Sequence, residues 1–354
     1  MKALNTVNFG LIGAGAIAWS AAEAINKHAN ARVRAISDPN LDRARALAAA
    51  RDIPAVSASA EELLADRGLD AVYIATPNKF HAPLARLALA AGKHVILEKP
   101  FAMNYAEARQ VTDLAAKKGL AFTVGMNQRF NADSQRVRAL VEKNFFGEIY
   151  HAKAYWRRRA GIPRLGTWFG NKALAGAGSL YDIGVHMLDL CLHVIGNFDP
   201  VSVSGQTYTK FGNRGLGEGG WGNSERGDIK FDVDDFATAL IRFRNGATVT
   251  LDTSWACHQA DGNRDNVEIN GTEAGATVRP ARVYRYGKNP LTSYEVIDVD
   301  KGPLALPHQC RFHNFINHLR GKEALLVTVP QALTVQKILD AIARSSKTGR
   351  EVRL

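Results

Sequence analysis

The sequence predicts an α/β fold: a doubly wound parallel sheet of the Rossmann type, followed by an α+β domain with a large, mostly antiparallel open sheet. Between residues 7 and 124, short apolar runs alternate with amphipathic stretches of about ten to fifteen residues, which is typical of parallel strands joined by right-handed helical crossovers. Beyond residue 125 strands predominate, and one clear hairpin appears. The length of 354 residues suits two domains of about 150 residues each.

The first domain is expected over residues 1–125. Its apolar runs predict buried strands at residues 7–13, 32–38, 71–75, 94–97 and 121–124. Its amphipathic stretches predict helices at residues 17–28, 41–51, 61–66, 82–91 and 105–118. Strands that alternate with helices in this way build one parallel sheet.

The second domain is expected over residues 126–354. Asn245-Gly246 separates two β-rich runs, and this dipeptide favours the positive φ angles of a tight hairpin turn. Gly349 is expected to follow the end of a C-terminal helix. The glycine-rich residues 212–227 are expected to be a loop, which is mobile surface, a cover over the site or a contact with a partner subunit. Helices are predicted at residues 134–143, 185–194 and 330–347, and strands at residues 148–156, 234–244, 247–255 and 266–270.

Charge and cysteine content exclude several classes of protein. The formal net charge is +11, but the basic residues are scattered, so no nucleic-acid partner is expected. A diffuse positive field instead favours anionic small molecules, a dinucleotide among them. The three cysteines are widely spaced, which suits a reducing compartment, and no Cys/His spacing predicts a metal site.

The apolar stretch at residues 9–22 is interpreted as strand and turn rather than as a signal peptide or membrane span. It contains Gly10, Gly13 and Gly15, and it breaks at Glu23, short of the roughly twenty residues that a membrane helix needs. A cytoplasmic protein without a membrane partner is therefore expected.

Residues 13–18, Gly-Ala-Gly-Ala-Ile-Ala, form a G-x-G-x-x-A pattern between a predicted strand and a predicted helix. Gly13 permits a tight turn, Gly15 lets a diphosphate approach the backbone, and the final alanine lets helix and strand pack closely. The helix start, with Ala16 and Ile17, offers amide donors and a partial positive charge to the phosphates. The pattern predicts a dinucleotide site.

Asp38 strengthens this prediction, because it lies twenty residues after Ala18 at the end of the second predicted strand. A carboxylate there binds the ribose hydroxyls and repels a 2′-phosphate, which favours NAD over NADP. Arg43 is close enough along the chain to pair with a 2′-phosphate, so NADP stays open. The structural alternative for Asp38 is a helix cap near Pro39.

Several later motifs resemble the signatures of the glucose-fructose oxidoreductase, inositol dehydrogenase and rhizopine-catabolism (Gfo/Idh/MocA) family. The motifs are Glu98-Lys99-Pro100, Thr76-Pro77-Asn78 with His81, Gly-Ala-Gly-Ser-Leu-Tyr-Asp-Ile-Gly-Val-His-Met-Leu-Asp at residues 176–189, and Asp234-Asp235-Phe236. The resemblance covers nearly the whole chain. It implies an NAD(P)-dependent oxidoreductase of a sugar or cyclitol, assembled as a homo-oligomer, a dimer or tetramer.

Lys99 is the first candidate catalytic residue. Pro100 follows it, which disfavours helical backbone at the lysine. The lysine is therefore held at the carboxyl end of a parallel strand, where ligands of such sheets bind. The resemblance places it beside the nicotinamide ribose and the substrate hydroxyl. The alternative is an exposed lysine at the start of a loop.

Asp182 and His186 are the other two candidates. If a helix begins near Asp182, then Asp182, His186 and Asp189 lie roughly on one face. An acid one turn before a histidine can orient its ring, so His186 suits a general base oriented by Asp182. Gly184 fits a backbone that approaches a ligand, since glycine inside a helix costs about 1 kcal/mol. The alternative is an N-cap aspartate followed by a packed histidine.

The resemblance also assigns cofactor-binding positions, namely Thr76, Pro77, Asn78, His81, Glu98, Lys99, Asn127 and Trp168. Structural alternatives stay open for these, such as Asn78 as a helix cap and Trp168 as core. Residues 157–159 are three arginines. In a strand only two of the three share a side, so no anionic substrate is inferred from them.

The predicted function is reversible oxidation of a secondary alcohol on a sugar, sugar derivative or cyclitol by hydride transfer to the nicotinamide. In it, His186 takes the hydroxyl proton and Asp182 orients His186. Lys99 stabilises the developing oxyanion or shares the proton transfer, and no metal is required. Two alternatives remain: an NAD-dependent glycosidase that uses transient oxidation and elimination, and a non-catalytic dinucleotide-binding regulator.

Overall fold

The structure is a computed structural model that describes residues 3–220, 227–228, 230–289, 291–299, 301 and 304–354. It contains one six-stranded and one nine-stranded β-sheet. Of the glycine-rich segment 212–227, residues 221–226 lie outside the described residues. Within the described residues, no helix is both long enough and apolar enough to cross a membrane.

The first sheet is wholly parallel and confirms the predicted doubly wound arrangement. Its strands are β1 (Val7–Ile12), β2 (Ala31–Ser37), β3 (Ala55–Ser57), β4 (Ala71–Ile74), β5 (His94–Leu97) and β6 (Phe122–Val124). Their order is β3-β2-β1-β4-β5-β6, so the direction of winding reverses between β1 and β4. In such sheets, ligands bind outside the carboxyl ends of the strands at this reversal.

The helices that connect these strands are α1 (Ala16–Asn26), α2 (Leu41–Arg51), α3 (Ala60–Leu64), α4 (His81–Ala90) and α5 (Tyr105–Lys118). Local chemistry explains their ends. The Asn104 side chain accepts a hydrogen bond of 2.9 Å from the Glu107 amide and caps α5, and Gly119 ends α5 with a φ of 63°. By contrast, no side chain in the described part of the chain caps α1, which begins directly after Gly15.

The second sheet is mostly antiparallel, as predicted. Its strands are β7 (Ile149–Arg158), β8 (Pro200–Tyr208), β9 (Phe236–Phe243), β10 (Thr248–Ser254), β11 (Asn263–Gly271), β12 (Gly275–Thr277), β13 (Arg282–Tyr286), β14 (Tyr294–Asp298) and β15 (Val352–Arg353). β7 and β10 pair in parallel at the centre of the order β14-β13-β12-β11-β7-β10-β9-β8-β15. β9 and β10 form the predicted hairpin, and Gly246 has the expected positive φ of 87°.

The later helices are α6 (Ala132–Glu142), α7 (Lys172–Ala175), α8 (Val185–Ile195), α9 (Arg311–Leu319) and α10 (Val329–Thr348). Helices α8 and α10 pack on one face of the second sheet. Apolar residues of α8 such as Leu188 and Leu192 are completely buried there. Gly349 ends α10 with a φ of 67°, as predicted.

Helix α9 belongs spatially to the first sheet, although it comes late in the chain. Its Phe315 ring lies 6.3 Å from the Phe9 ring of β1, and the Leu4 amide donates a 3.0 Å hydrogen bond to the Leu319 carbonyl. Phe312, Phe315 and Leu319 share one buried cluster with β1 and α1. Neither this helix nor its position is among the elements predicted from the sequence.

Candidate functional site

The glycine turn lies between β1 and α1, at the reversal of the first sheet. Gly13 has a φ of 101°, and a Cβ atom built on it would lie 2.5 Å from the Ala75 carbonyl oxygen. A Cβ on Gly15 would meet nothing within 4 Å. Gly13 is thus required by the fold itself, whereas Gly15 faces open space where a ligand can approach the backbone.

The N-terminus of α1 offers backbone N–H groups to which an anion can bind. Gly15 precedes the helix without a side-chain cap, so the first amides depend on some other acceptor. Ala16 and Ile17 are exposed, and Ile17 leaves 45% of its surface accessible. Amide donors at a helix N-terminus beside an apolar side chain suit a diphosphate and its attached ribose.

Asp38 lies at the end of β2, beside the glycine turn. Its Oδ2 accepts a 2.8 Å hydrogen bond from the Ala14 amide, and its Oδ1 accepts one of the same length from the Asn40 amide. Asn40, and not Asp38, caps α2, because its Oδ1 accepts from the Arg43 amide at 3.1 Å. The helix-cap alternative for Asp38 is therefore wrong, and the half-buried carboxylate remains next to the turn.

Lys99 follows β5, and its peptide bond to Pro100 is cis. The ammonium Nζ donates to Oδ1 of Asp182 at 2.8 Å and to the Asp182 carbonyl at 3.0 Å. The other carboxylate oxygen, Oδ2, accepts a 2.9 Å hydrogen bond from the Trp255 indole. The two charged side chains are only 18% and 10% exposed, so this ion pair is shielded from solvent.

His186 lies one turn further along. Its ring centroid is 6.3 Å from the ring of Trp156 on β7, and its Nδ1 is buried without a hydrogen-bond partner in the described part of the chain. Burial, followed by the positive charges of Lys99 and Arg311, lowers the pKa of His186 well below its ordinary value of 6.5. The ring is consequently neutral near neutral pH.

The turn that presents Asp182 is shaped by Asp234. One oxygen of the Asp234 carboxylate accepts from the Gly178 amide at 2.7 Å, and the other accepts from the Ser179 hydroxyl and the Leu180 amide, each at 2.8 Å. A Cβ on Gly178 would lie 1.9 Å from the Asp234 carbonyl oxygen. The glycine thus allows the two segments to meet.

Residues Leu180–Gly184 form a π-helical turn before α8, so the α-helical spacing assumed in the sequence analysis does not hold here. Asp189 does not face the site: its carboxylate receives two hydrogen bonds, of 2.8 and 2.6 Å, from the buried guanidinium of Arg129. No hydrogen bond joins Asp182 to His186 among the described residues. A Cβ on Gly184 would lie 3.1 Å from Thr253 Cγ2, so packing on β10 explains this glycine.

Glu98 is enclosed by protein groups. One carboxylate oxygen contacts both the Tyr73 hydroxyl and the Arg311 guanidinium, and the other accepts a 3.1 Å hydrogen bond from the Lys99 amide. Burial raises the pKa of Glu98, but Arg311 and the Tyr73 hydroxyl outweigh it, so the pKa lies below its ordinary value. Glu98 is therefore an ionised group that holds the Lys99 backbone.

The loop after β4 contains the next group of candidates. Thr76 Oγ1 is buried without a partner in the described residues, which leaves a hydroxyl able to receive a ligand. The two ring nitrogens of His81 lie 3.0 Å from the Thr76 carbonyl and 2.7 Å from the Pro100 carbonyl. Burial lowers the pKa of His81, and a neutral ring carries one N–H, so it donates to one carbonyl at a time.

The remaining candidates lie on neighbouring turns. Pro77 precedes the turn Asn78–Phe80, and Asn78 donates a 2.8 Å hydrogen bond from Nδ2 to the carbonyl of Ala175 in α7. Asn127 is exposed in the turn after β6. Trp168 begins the turn before α7 and stacks on Phe169 with the ring centroids 3.8 Å apart. Asn78 thus connects the first sheet to the segment that carries Trp168.

Sequence reasoning missed three side chains of this region. They are Trp255, which binds Asp182, Trp156, which lies beside His186, and Arg311, which binds Glu98. Trp255 and Trp156 were available as tryptophans at the ends of predicted strands. Arg311 carried no comparable signal, because no pattern in the sequence links it to Glu98.

The arrangement fits a bound dinucleotide. The uncapped start of α1, the open space at Gly15, the carboxylate of Asp38 and the unpartnered Thr76 hydroxyl lie along the carboxyl edge of β1, β2 and β4. Lys99 extends from the same edge at the end of β5. A nicotinamide that reached Lys99 from this turn would also approach His186.

Comparison with protein families agrees with this arrangement. Residues 7–126 match a model described as an oxidoreductase family with an NAD-binding Rossmann fold, and residues 134–277 match the GFO/IDH/MocA C-terminal domain. The chain is 34% identical over 324 residues to the D-glucoside 3-dehydrogenase of Escherichia coli K12, covering 90% of this chain and 89% of that protein.

Two further comparisons are with proteins named levoglucosan dehydrogenase, one by sequence and one by structure. A levoglucosan dehydrogenase of Pseudarthrobacter phenanthrenivorans is 30% identical over 221 residues, covering 60% of this chain and 55% of that protein. A solved levoglucosan dehydrogenase in complex with NADH and levoglucosan superposes with a TM-score of 0.83 at 23% identity, covering 98% of this chain and 99% of the other, and shows the common fold. The chain belongs to the Gfo/Idh/MocA family of oxidoreductases and uses NAD as its cofactor.

Proposed function

We propose that this chain is an NAD-dependent sugar dehydrogenase that oxidises a secondary alcohol of a pyranose or pyranoside. The single observation that carries the proposal is the convergence of Lys99 and Asp182, 2.8 Å apart, with a neutral His186 on the next helical turn. A neutral imidazole can take the proton of an alcohol, and a cation can stabilise the oxygen that is left. The relatives named as glucoside and levoglucosan dehydrogenases support a sugar as the alcohol.

In this proposal His186 is the general base. Because burial and the nearby cations lower its pKa, the ring is unprotonated before the substrate binds. The half-buried ring lies beside Trp156, whose indole offers an apolar face to the C–H groups of a sugar. His186 accepts the hydroxyl proton, and the nicotinamide supplies the hydride acceptor when it is bound.

Lys99 stabilises the oxygen that loses this proton. An ammonium has three N–H donors, and two of them are directed to the Asp182 carboxylate and carbonyl. The third has no acceptor among the described residues and is available to a substrate oxygen. Asp182 acts on Lys99 rather than on His186, since its carboxylate is occupied by the ammonium and by the Trp255 indole. Asp182 is thus a positioning residue, a role that differs from the one expected from its sequence spacing.

The same geometry supports a proposed set of cofactor-binding residues. Gly13 and Gly15 with the α1 start receive the diphosphate, Asp38 the adenosine ribose, and Thr76 the middle of the dinucleotide. Pro77, Asn78, Asn127 and Trp168 shape its surroundings. Asp38 places a carboxylate at the ribose and so favours NAD over NADP.

The experiment is a panel of glucosides, anhydrosugars, free sugars and cyclitols, each incubated with NAD or NADP and followed by nicotinamide absorbance at saturating cofactor. Stoichiometric NADH formation with a pyranoside is expected. Loss of the glycosidic bond without net NADH would instead favour the glycosidase alternative, and a chain that binds NAD but turns over none of the panel would favour the regulator.

Variants then assign the roles. Lys99→Met and His186→Ala are expected to lower kcat by about 100- to 10,000-fold, since each removes an electrostatic or proton-transfer contribution. NAD affinity, measured by quenching of intrinsic fluorescence, is expected to stay within about threefold of the unmodified protein, because the diphosphate site is untouched. Normal turnover in either variant would remove that residue from the mechanism.

A further inference from the structure

Arg311 begins α9, and its guanidinium reaches the carboxyl edge of the first sheet from a part of the chain more than 200 residues away. Nη1 donates a 2.6 Å hydrogen bond to the Gly125 carbonyl, just after β6. Nη2 contacts the carboxylate of Glu98 and lies 3.2 Å from the Tyr73 hydroxyl. The side chain is only 11% exposed.

Gly125 has no side chain, and this leaves space for the Arg311 guanidinium. A Cβ atom on Gly125 would lie 2.5 Å from Nη1 of Arg311, so a larger residue would displace the arginine. The guanidinium carbon lies 4.9 Å from the Phe312 ring and 5.8 Å from the Tyr73 ring. A buried charge of this kind costs free energy unless it is paired and hydrogen-bonded. The contacts of Arg311 with Gly125, Glu98 and Tyr73 meet this requirement and hold the guanidinium in one orientation.

Glu98 carries this constraint to Lys99. One oxygen of the carboxylate is held by Tyr73 and Arg311, and the other accepts the backbone N–H of Lys99 at 3.1 Å. The far end of the same lysine is held by Asp182. The position of the ammonium therefore depends on two sets of contacts, one at the Lys99 amide and one at Nζ.

We propose that Arg311 is a positioning residue for the reaction, acting through Glu98 on the backbone of Lys99 so that the ammonium meets the substrate oxygen beside His186. This inference rests on the proposed dehydrogenase function and adds a residue from α9 to its machinery. Arg311 touches neither the substrate nor the reacting atoms in this role. Its effect comes from the geometry of a planar fork, which lysine cannot reproduce.

Arg311 also contributes charge. The cations that face His186 are Lys99, Arg311, Arg279 and Arg158, and after burial they are the causes that lower its pKa. Carboxylates accompany these cations: Asp182 binds Lys99, Glu98 binds Arg311, and Asp265 binds Arg279. Asp182 and Asp265 also lie close enough to Arg158 to interact with its charge. The effect of the Arg311 charge on His186 can be separated from the effect of its hydrogen-bond geometry on Lys99. A substitution that keeps the charge but changes the geometry is compared with one that removes both.

The central experiment compares Arg311→Lys with Arg311→Met in the full-length protein, using the sugar on which the unmodified protein is active. Arg311→Lys keeps the positive charge and loses the fork. We expect it to lower kcat by about tenfold to 100-fold, as a displacement of about 1 Å at a reacting group does. The KM for NAD and the His186 titration, followed by NMR of ¹³C-labelled histidine, should stay unchanged.

Arg311→Met removes both the charge and the fork. It should lower kcat at least as much as Arg311→Lys and should also raise the titration midpoint of His186. Glu98→Gln should lower kcat similarly but move the His186 midpoint in the opposite direction, because it removes a negative charge. The His186 resonance is identified from its absence in His186→Gln.

The matched control is Asp189→Asn, which weakens another buried arginine–carboxylate pair, that of Arg129. It should lower the melting temperature and leave kcat and the His186 midpoint unchanged. If Arg311→Lys fails to fold, Tyr73→Phe provides the test, since it removes one hydroxyl from Glu98 and should reduce kcat by about threefold to tenfold.

The outcomes distinguish the two proposals. An unmodified protein that is inactive on every sugar contradicts the dehydrogenase function, and this inference with it. An active protein whose Arg311→Lys and Tyr73→Phe variants keep full kcat overturns the positioning role alone. A fall in kcat for Asp189→Asn as large as that for Arg311→Lys also overturns it, because the loss would then follow from general destabilisation.

Discussion

Lys99 Nζ lies 2.8 Å from Asp182 Oδ1, although the two residues are 83 positions apart and belong to segments that pack on different sheets. The pair joins the end of β5 to the turn before α8. Trp255 from the end of β10 holds the second carboxylate oxygen. The Asp182 carboxylate thus holds the Lys99 ammonium, which extends from the first sheet, beside the second sheet.

This relationship predicts that Asp182→Asn lowers both stability and turnover. The amide would place its NH₂ group against either the Lys99 ammonium or the Trp255 indole, and both are donors. A buried unsatisfied donor costs about 1–3 kcal/mol, which urea denaturation can measure. We expect kcat to fall by about 100-fold or more.

Trp255→Phe is the matched variant for Asp182. It removes the indole N–H but leaves Lys99 bound to the carboxylate. Its kcat is expected to fall less than that of Asp182→Asn. An equal fall in both variants would mean that the shape of this pocket matters and the Lys99–Asp182 pair does not.

The two glycines of the α1 turn are expected to respond differently to alanine. Gly13→Ala places a Cβ 2.5 Å from the Ala75 carbonyl oxygen at a φ of 101°, so it should reduce the melting temperature markedly. Gly15→Ala meets no atom within 4 Å and should leave the melting temperature of the cofactor-free protein unchanged, while it weakens NAD binding by about tenfold. Calorimetry with and without NAD measures both effects. Unaltered NAD affinity in a folded Gly15→Ala variant would contradict the assigned diphosphate position.

Asp38→Ser tests cofactor preference. The carboxylate that would bind the adenosine ribose and repel a 2′-phosphate is lost, so kcat/KM for NAD should fall and the ratio of NADP to NAD use should rise by about tenfold or more. Asp38 also accepts from the Ala14 and Asn40 amides, so a stability loss of about 1–2 kcal/mol should accompany the change. Asn40→Ala, which removes the α2 cap alone, should cost similar stability without altering the ratio.

The buried histidine of α8 predicts a pH dependence of stability. Burial, together with Arg129 and Arg138, lowers the pKa of His193 to about 2, whereas an unfolded histidine titrates near its ordinary value of 6.5. Above that value the ring is neutral in both states. Below it the unfolded chain binds a proton that the folded chain excludes. As the pH is lowered, the free energy of unfolding therefore decreases by at most about 1.4 kcal/mol per pH unit because of this group.

His193→Gln should therefore reduce the loss of stability between pH 7 and pH 5.5, measured by urea denaturation at each pH. His258→Gln is the control, since His258 is exposed. Equal slopes for the two variants would show that His193 contributes nothing to the acid sensitivity.

Much of the first sheet was predictable, because its central strands β1, β4, β5 and β6 are almost wholly buried and several of its helices have clear ends. The predicted bounds of residues 41–51, 94–97 and 105–118 coincide with those of α2, β5 and α5. Asparagine caps and Gly119 mark the limits of these helices locally. Where local chemistry determines an element, the sequence alone locates it.

Other elements depend on distant partners and were missed. Strands β3, β12 and β15 have only two or three residues, too few for a periodic pattern. Helix α9 did carry a signal: Phe312, Phe315, Ile316 and Leu319 follow the spacing of one helical face. Its packing against β1 could not be read from that pattern.

The sequence identified several residues of the candidate site, but it did not predict which of them contact one another. Lys99 and Asp182 form an ion pair, but the expected contact between Asp182 and His186 is replaced by contacts of Asp182 to Lys99 and Trp255. A π-helical turn altered the spacing, and no local pattern announces such a turn. Arg311 was unpredictable for the related reason that its target, Glu98, lies 213 residues earlier.

The position of α9 has a consequence for biosynthesis. Phe9 and Tyr73 are buried in contact with Phe315 and Phe312, which the ribosome adds some 240 to 300 residues later. A nascent chain that has only the first sheet therefore exposes aromatic surface until α9 emerges. Such an intermediate is a natural client for a holdase chaperone, and a premature stop codon before residue 311 would leave an aggregation-prone fragment rather than a free-standing nucleotide-binding module.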